Sequence, residues 1–325
     1  MNYSVIIPTH NRPDLVVRAI RSVYAQSSPA KQIIVIDDAS QPPLALPADL
    51  CDGRTRVIRH ELSVGGAAAR NTGLREASTS IVAFLDDDDE WLPAKMEIQL
   101  AWLRGHPRAT LVTCGHLRCE SDREYREVFT QDFVENYRHY DNFFGSFSYL
   151  VVRRSPSGIL LDSALPALQD WDFALRVTNG SPFGVIEEPL VKYHAHNLPR
   201  ITNGAGNHLR GLRHCYLKHD FHLSDDARRW LLGRIIFERA RAITSLRKRV
   251  ARVALSIALA ARCNVPFTMK LRVIAHRTAS LGVSPKTIVA IRSAAIATWQ
   301  SLRRAPSGTC SHGAPTHTGP RSAFL

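Results

Sequence analysis

No stretch of this 325-residue sequence approaches the ~20 consecutive apolar residues that a bilayer-spanning helix needs. The best candidate, Val253 to Ala261, is about half as long as required and lies between Arg252 and Arg262. A spanning helix is therefore not expected, whereas a helix lying on a membrane surface stays open. The first apolar run, Ser4 to Ile7, is ended by Pro8 and has no basic segment before it, so no secretory signal is expected. Cysteine is sparse. Its six positions (Cys51, Cys114, Cys119, Cys215, Cys263 and Cys310) include no Cys-x-x-Cys pair. That spacing fits neither a zinc cluster nor a small disulfide scaffold, and points to free thiols in a reducing cytosol. Gly-x-Gly-x-x-Gly and the Walker A sequence are both missing, which argues against dinucleotide dehydrogenases and P-loop nucleotidases. No internal repeat is present.

What is there suffices for a core. Hydrophobic residues make up 45% and charged residues 22% of the chain, which excludes global disorder. At ~150 residues per domain the length fits one large domain or two ordinary ones. Charge favours two functional parts. Residues 1–204 carry 21 basic and 25 acidic side chains, whereas residues 205–325 carry 21 basic and only 4 acidic ones. A basic half of this kind suits an anionic membrane surface, an acidic partner or nucleic acid.

The first hundred residues alternate strand and helix signals. Tyr3–Ile7, Gln32–Ile36 and Ser80–Leu85 are continuous apolar runs, as expected of parallel strands covered on both faces. Arg56–Arg59 reads as a shorter strand. Pro13 is placed to open a helix whose apolar positions, Leu15, Val16, Ala19, Ile20 and Val23, share one face. Gly65-Gly66 opens another. The alternation predicts an α/β fold with a mainly parallel, doubly wound sheet. Beyond residue 110, Leu111–Thr113, Phe147–Val152, Gly184–Ile186 and Leu190–Tyr193 read as strands, and Asp170–Val177 as a helix that Gly180 closes. Segments 208–218, 225–262, 266–281 and 285–304 read as Arg-rich helices. The Ser-, Gly-, Pro-, His- and Thr-rich residues 306–325 read as a disordered tail. The expected organisation is a catalytic domain over 1–204, a basic helical region over 205–305 and that tail.

Two of the core strands end in acid, at Asp37-Asp38 and at Asp86-Asp87-Asp88-Asp89. Ligands of open parallel sheets bind beyond the carboxyl ends of the strands. Four consecutive aspartates repel one another, and a divalent cation relieves that repulsion while bridging two phosphates. The competing reading is structural, a helix cap at Asp86–Asp89 and a capped turn at Asp37-Asp38.

These segments resemble glycosyltransferase family 2. The resemblance is carried by Ser4-Val5-Ile6-Ile7-Pro8-Thr9-His10-Asn11-Arg12, Val35-Ile36-Asp37-Asp38-Ala39-Ser40, Ala67-Ala68-Ala69-Arg70-Asn71-Thr72-Gly73 and Phe84 to Pro93. Gln169-Asp170-Trp171-Asp172 and Tyr193-His194-Ala195-His196 continue it in order. It spans about residues 2–200 and does not reach residues 205–325. It implies a GT-A fold and inverting transfer from a nucleoside-diphosphate sugar, with a UDP-sugar as the expected donor. The implied acceptor is a hydroxyl of a glycan or lipid-linked acceptor, in cell-surface polysaccharide or lipopolysaccharide synthesis. The implied location is the cytoplasm or the inner face of the cell membrane.

Position by position, the resemblance places Thr9 and Asp38 at the nucleoside, Asn11 in the same loop, Arg70 near the nucleotide, Pro8 and Asp86 among the nucleotide-sugar-binding residues, and Asp87 at the ribose or the metal. Asp86-x-Asp88 matches the Asp-x-Asp motif that holds Mn2+ or Mg2+ against the diphosphate, with His196 as a further ligand candidate. Asp170 matches the catalytic base, preceded by Gln169 where relatives often have Glu. Direct chemistry agrees, because a departing diphosphate needs charge compensation and an attacking hydroxyl needs a proton acceptor. Structural alternatives remain: Asp170 as a helix cap, Trp171 and Phe173 as packing, His196 and His10 as loop residues, and Arg153-Arg154 as a solvated strand end. Two other functions also remain open, a non-catalytic nucleotide-sugar-binding protein and a nucleotidyltransferase of similar fold. In the basic region, arginines from Arg228 to Arg252 interleave with leucines and isoleucines. This suits either a helix on anionic lipid or a subdomain with a solvated basic face. Nucleic-acid binding is not expected, since no stacking aromatics accompany the charge.

Overall fold

Strand β1 (Tyr3–Thr9) is buried along its whole length, which is why its sequence is apolar without alternation. The computed structural model describes residues 1–120, 123–154, 158–194, 206–241, 243–266, 269–270 and 273. The chain divides into two compact units, Met1–Asn203 and Gly204–Leu325.

In the first unit β1 pairs in parallel with β2 (Gln32–Asp37), which pairs in parallel with β3 (Thr55–Arg59). On its other side β1 pairs in parallel with β4 (Ile81–Phe84). These strands match the expected parallel sheet. The rest is mixed. β5 (Glu90–Trp91), β6 (Leu111–Glu120), β7 (Arg123–Glu127), β8 (Val151–Arg153) and β9 (Phe183–His194) extend the sheet in the order β3-β2-β1-β4-β8-β6-β9-β5, with β7 on β6. β8 runs antiparallel to both β4 and β6, whereas β9 is parallel to β6.

Helix α1 (Pro13–Tyr24) begins at its proline and buries Val16, Ala19, Ile20 and Val23 against the sheet. Each such side chain contributes about 1.5–3 kcal/mol on burial. Helix α2 (Gly66–Glu76) follows Gly65, whose φ of 88° and ψ of 162° lie where a side chain is strained. α2 lies close on β1, because a Cβ on Gly73 would come within 2.5 Å of the Ile6 side chain. Helices α3 (Lys95–Gly105), α4 (Gln131–Tyr137) and α5 (Gln169–Val177) complete the unit.

Three expectations need correction. Phe147–Val152 is not one strand: Phe147–Tyr149 form a 3-10 turn capped by Ser146, and only Val151–Arg153 pair in the sheet. The two short strands expected over 184–193 are one strand, β9, which carries extra residues opposite Gly115 of β6. Pro189 and the unpaired Glu187-Glu188 break the apolar run there, so the sequence shows two pieces. In the second unit, α6 (Asn207–His219) stands as expected, but the helix expected over 225–262 is two, α7 (Asp225–Arg241) and α8 (Leu246–Ala261). Ser245, at an extended backbone setting, precedes α8. Helix expectations over most of 266–281 and over 285–304, and the tail over 306–325, lie outside the described residues. Among the described residues no helix is long and apolar enough to cross a membrane.

Candidate active site

The parallel register aligns strand ends. Thr9 is opposite Asp37, Ile6 is opposite Phe84, and the Asp38 N–H donates to the Thr9 carbonyl at 2.9 Å. The turns after β1, β2 and β4 therefore open at one edge of the sheet. They meet around a pocket of about 460 Å3 lined by Pro8, Thr9, His10, Arg12, Asp38, Gly65, Arg70, Asp86, Asp87, Asp88, Ser146, Asp170 and Tyr193, among others. That volume is within the range of small-molecule sites. The three non-glycine residues with positive φ among those described, Asn11, Ala39 and Leu168, each lie within two residues of a lining residue. A left-handed setting costs about 1–2 kcal/mol at such a residue, so packing around the pocket outweighs local preference.

Each acid has a different environment. The Asp37 carboxylate accepts from the backbone N–H groups of Ser40 and Leu44 and from Arg59. Burial pushes its pKa up, yet these donors outweigh it and hold the group below its ordinary value. Asp37 thus builds the turn. Asp38 accepts from Ser63 Oγ (2.8 Å) and from the N–H groups of Val64 and Gly65, and its Oδ1 lies 2.8 Å from His60 Nδ1. Burial opposes ionisation here too, and His60 and the loop donors prevail. Asp38 ties the loop before α2 to the sheet and presents that loop to the pocket.

Asp87 is buried, accepts from Thr9 Oγ1 at 2.8 Å and pairs with Arg12 at 3.1 Å. Burial pushes its pKa up to about 6, against the pull of Arg12 and Thr9. Asp88 pairs with the same Arg12 guanidinium at 3.3 Å. Asp86 pairs with Arg70 and accepts from Ser146 Oγ at 2.9 Å. Asp89 is turned inward, where Ser148 Oγ donates to it at 2.6 Å while also accepting the Asp86 N–H. Burial, and then the charges of Asp86 and Asp88, push Asp89 well above its ordinary value. A single cap residue is therefore not what this run provides: Asp86, Asp87 and Asp88 line the pocket while Asp89 anchors the turn from beneath.

Asp170 is the second residue of α5, after Leu168 at φ 62°. Burial pushes its pKa up to about 6, Asp86 adds to the rise, and the Trp171 N–H and Arg70 oppose it. Arg70 lies with its guanidinium 4.2 Å from the centre of the Phe147 ring. It links Asp86 to the neighbourhood of Asp170.

The structure thus brings together Pro8, Thr9, Asp38, Arg70, Asp86, Asp87, Asp88 and Asp170. Asn11 does not line the pocket. Its side-chain carbonyl accepts the Gln41 N–H at 2.7 Å and its N–H donates to Ser40, so it ties the loop after β1 to the loop after β2. His196 lies outside the described residues. Trp171 and Phe173 are packing residues, nearly fully buried. Arg153 and Arg154 lie away from the pocket and donate to the carbonyls of Leu103, Ala109, Ala77 and Thr79. Ser146, Tyr193 and Arg12 line the pocket without having been assigned a role from sequence. The signal for Arg12 was its place in the first motif; Ser146 lies in a stretch without periodicity.

Among the described residues no three His, Cys, Asp or Glu side chains are grouped to hold a metal ion. Asp86 and Asp88 nevertheless both line the pocket. A hard divalent cation such as Mg2+ is ordinarily held by one or two carboxylates with substrate phosphates supplying the rest. The oxygen donors fit such an ion.

Residues 4–158 match the profile of glycosyl transferase family 2. Residues 4–158 are a glycosyl transferase family 2 domain. WcaA of Escherichia coli (strain K12), named provisionally as a colanic acid biosynthesis glycosyl transferase, is 29% identical to this glycosyltransferase over 231 residues, 66% of this chain and 80% of its own. WfgD of Escherichia coli, named as a UDP-Glc:α-D-GlcNAc-diphosphoundecaprenol β-1,3-glucosyltransferase, is 34% identical over 101 residues, 31% of this chain and 40% of its own. The Staphylococcus aureus TarS 1–349 structure in complex with UDP-GlcNAc superposes with a TM-score of 0.58 at 15% identity, covering 94% of this chain and 92% of TarS 1–349. The chain accordingly has the expected GT-A fold.

Proposed function

We propose that this enzyme transfers a glycosyl group, with inversion, from a nucleoside-diphosphate sugar to a hydroxyl acceptor in polysaccharide synthesis. The observation that carries this reading is the shared pocket: donors and acids from three parallel strand ends line it together with Asp170. The names of WcaA and WfgD, and UDP-GlcNAc in TarS, support the substrate class. A UDP-sugar is the donor we favour.

In this reading Thr9 and the loop held by Asp38 receive the nucleoside. Arg70 and Arg12 offset phosphate charge. Asp86 and Asp88 would hold Mn2+ or Mg2+, which, when bound, supplies Lewis-acid compensation for the leaving diphosphate. Asp170, with its raised pKa, takes the proton of the attacking hydroxyl. A single displacement needs one protein carboxylate on the acceptor side, unlike two-step retaining chemistry. The acceptor is a glycan or lipid-linked glycan, met at the inner face of the cell membrane, where the basic second unit suits anionic lipid.

The test is a thermal-shift screen against UDP-, GDP-, CMP- and dTDP-sugars, with Mn2+ or Mg2+ and with chelator. Ligand at 100 times its Kd adds about 2.7 kcal/mol to native stability. A melting shift from one nucleotide class supports the reading; no shift from any of them removes it. Separately, removing residues 225–325 should release the protein from anionic liposomes, and unchanged sedimentation would remove the membrane part.

A further inference from the structure

The outward side of α6 ends in a pair of exposed apolar side chains. Phe221 is 94% exposed, more than any other large apolar side chain among the described residues, and Leu217, four residues before it, is 57% exposed. We propose that these two residues are a membrane anchor, seated among the acyl chains at the surface of an anionic bilayer. The inference deepens the membrane part of the reading above and rests on it.

The first observation is that the exposure is built in. α6 buries Gly211, Leu212, Cys215 and His219. At 100° per residue Leu217 falls on the opposite side of the helix, together with Arg210 and His214. Phe221 follows in a 3-10 turn, Asp220–His222, whose two ends are fastened. Before the ring, Asp220 is ion-paired with Arg228 of α7 at 2.9 Å, and its carbonyl accepts from the same guanidinium at 2.8 Å. After it, Leu223 is buried, and its N–H donates to the Asp220 carbonyl at 3.2 Å. The ring therefore has no slack with which to turn back into the core. Water around it carries a free-energy cost that an apolar medium removes.

The second observation is charge. Residues 205–325 hold 21 basic and 4 acidic side chains. All four acids, Asp220, Asp225, Asp226 and Glu238, are ion-paired with arginines of α7: Arg228 for the first two, Arg229 for the third and Arg241 for the fourth. The unit has no further acid with which to match its excess positive charge. Arg210, on the same side of α6 as Leu217, is exposed, and so are Lys218 and His222, next in sequence to the pair. Cations beside an anionic leaflet are attracted to it. A basic surface and a small apolar insertion are the two signals that together hold a protein on such a membrane. A protein partner fits less well, because the centre of a protein interface is a contiguous apolar patch depleted of charge, whereas here two apolar side chains stand in a basic surround.

The test is co-sedimentation of the full chain with vesicles of phosphatidylcholine alone and of phosphatidylcholine mixed with phosphatidylglycerol. The parent should bind the mixed vesicles about tenfold or more tightly than the neutral ones. Leu217→Ser/Phe221→Ser leaves every charge in place, unlike removal of residues 225–325. It should bind the mixed vesicles about tenfold or more weakly than the parent, as loss of one buried phenyl ring predicts. Phe221→Trp should keep the parent affinity within about twofold, and its added emission, taken against the parent, should be quenched by lipid brominated in the acyl chain. Equal binding by the parent and the double variant overturns the inference, as does a Phe221→Trp emission that brominated lipid leaves unchanged. Equal binding of the parent to both kinds of vesicle also overturns it. A parent that self-associates without vesicles, while the double variant does not, makes the pair an interface between copies and overturns it as well. If the parent binds neither kind of vesicle, the membrane part of the proposed function falls together with the anchor. None of these results bears on the donor reading, which the nucleotide-sugar screen decides.

Discussion

Replacing Asp170 by asparagine should trade activity for stability, and the trade is set by burial. The carboxyl is enclosed beside Asp86, and its pKa rises from 3.8 to about 6. At about 1.36 kcal/mol for each pH unit, that rise corresponds to about 3 kcal/mol by which the native state disfavours the ionised form at neutral pH. Water in the open pocket reduces this, so about 1–3 kcal/mol is expected. The sign follows from linkage: the native pKa is raised, so the parent loses stability relative to Asp170→Asn as pH rises from about 4 to about 6. Above about pH 6 the variant is more stable by the full amount, and below about pH 4 the advantage is gone. For a unit of this size 1 kcal/mol moves Tm by about 2–4 °C. Denaturant melts of both proteins at pH 4, 5, 6 and 8 measure it directly. The variant should also lose about 100- to 10,000-fold in kcat as a general base is removed, while nucleotide binding survives. A stability difference that does not change with pH would refute the burial argument. Equal loss of turnover and nucleotide binding would mark Asp170 as structural.

Other consequences are open to the same kind of check. In the parent, kcat/KM should fall on the acid side near pH 6, where Asp170 takes up its proton; a flat profile down to pH 5 would contradict its proposed role as base. Gly73→Ala places a Cβ 2.5 Å from Ile6 in the packed contact between α2 and β1, and should destabilise by about 1–3 kcal/mol in chemical denaturation. Lys95 is fully buried against the Trp91 ring and Gln99, and burial lowers its pKa from 10.5 to about 8. The stability of Lys95→Met relative to the parent should therefore decline by about 3 kcal/mol between pH 8 and 10.5, as the parent lysine sheds its charge; a constant difference would be the wrong result for that reading.

How much of this was written in the sequence depends on distance along the chain. β1, β2 and β4 were legible because strands buried on both faces must be apolar throughout, and the acids follow β2 and β4 at once. Asp38, Asp86 and Asp88 could be placed at the carboxyl edge of the sheet for that reason. The partners that give these acids their character were not legible. Ser148 is roughly sixty residues from Asp89, and Ser146 as far from Asp86; neither lies in a periodic segment. Arg12 was visible but its bridge between Asp87 and Asp88 is a property of the fold. Asn11 was placed at the ligand by its motif, whereas its positive φ and its bond to Gln41 make it a loop fastener. The join of β9 across Pro189 was hidden because extra residues opposite Gly115 interrupt the apolar pattern. The break between α7 and α8 was hidden because Arg and Leu continue with helical spacing past it.

At the centre of the proposal, carboxylates just beyond β4, at the edge it shares with β1 and β2, would steady a diphosphate through a divalent cation. The most direct measurement is calorimetric titration of nucleoside diphosphate into the parent and Asp88→Ala, each with Mn2+ and with chelator. Tightening of tenfold or more by Mn2+ in the parent, and little in the variant, is the expected result. Equal affinity in all four titrations would contradict the account.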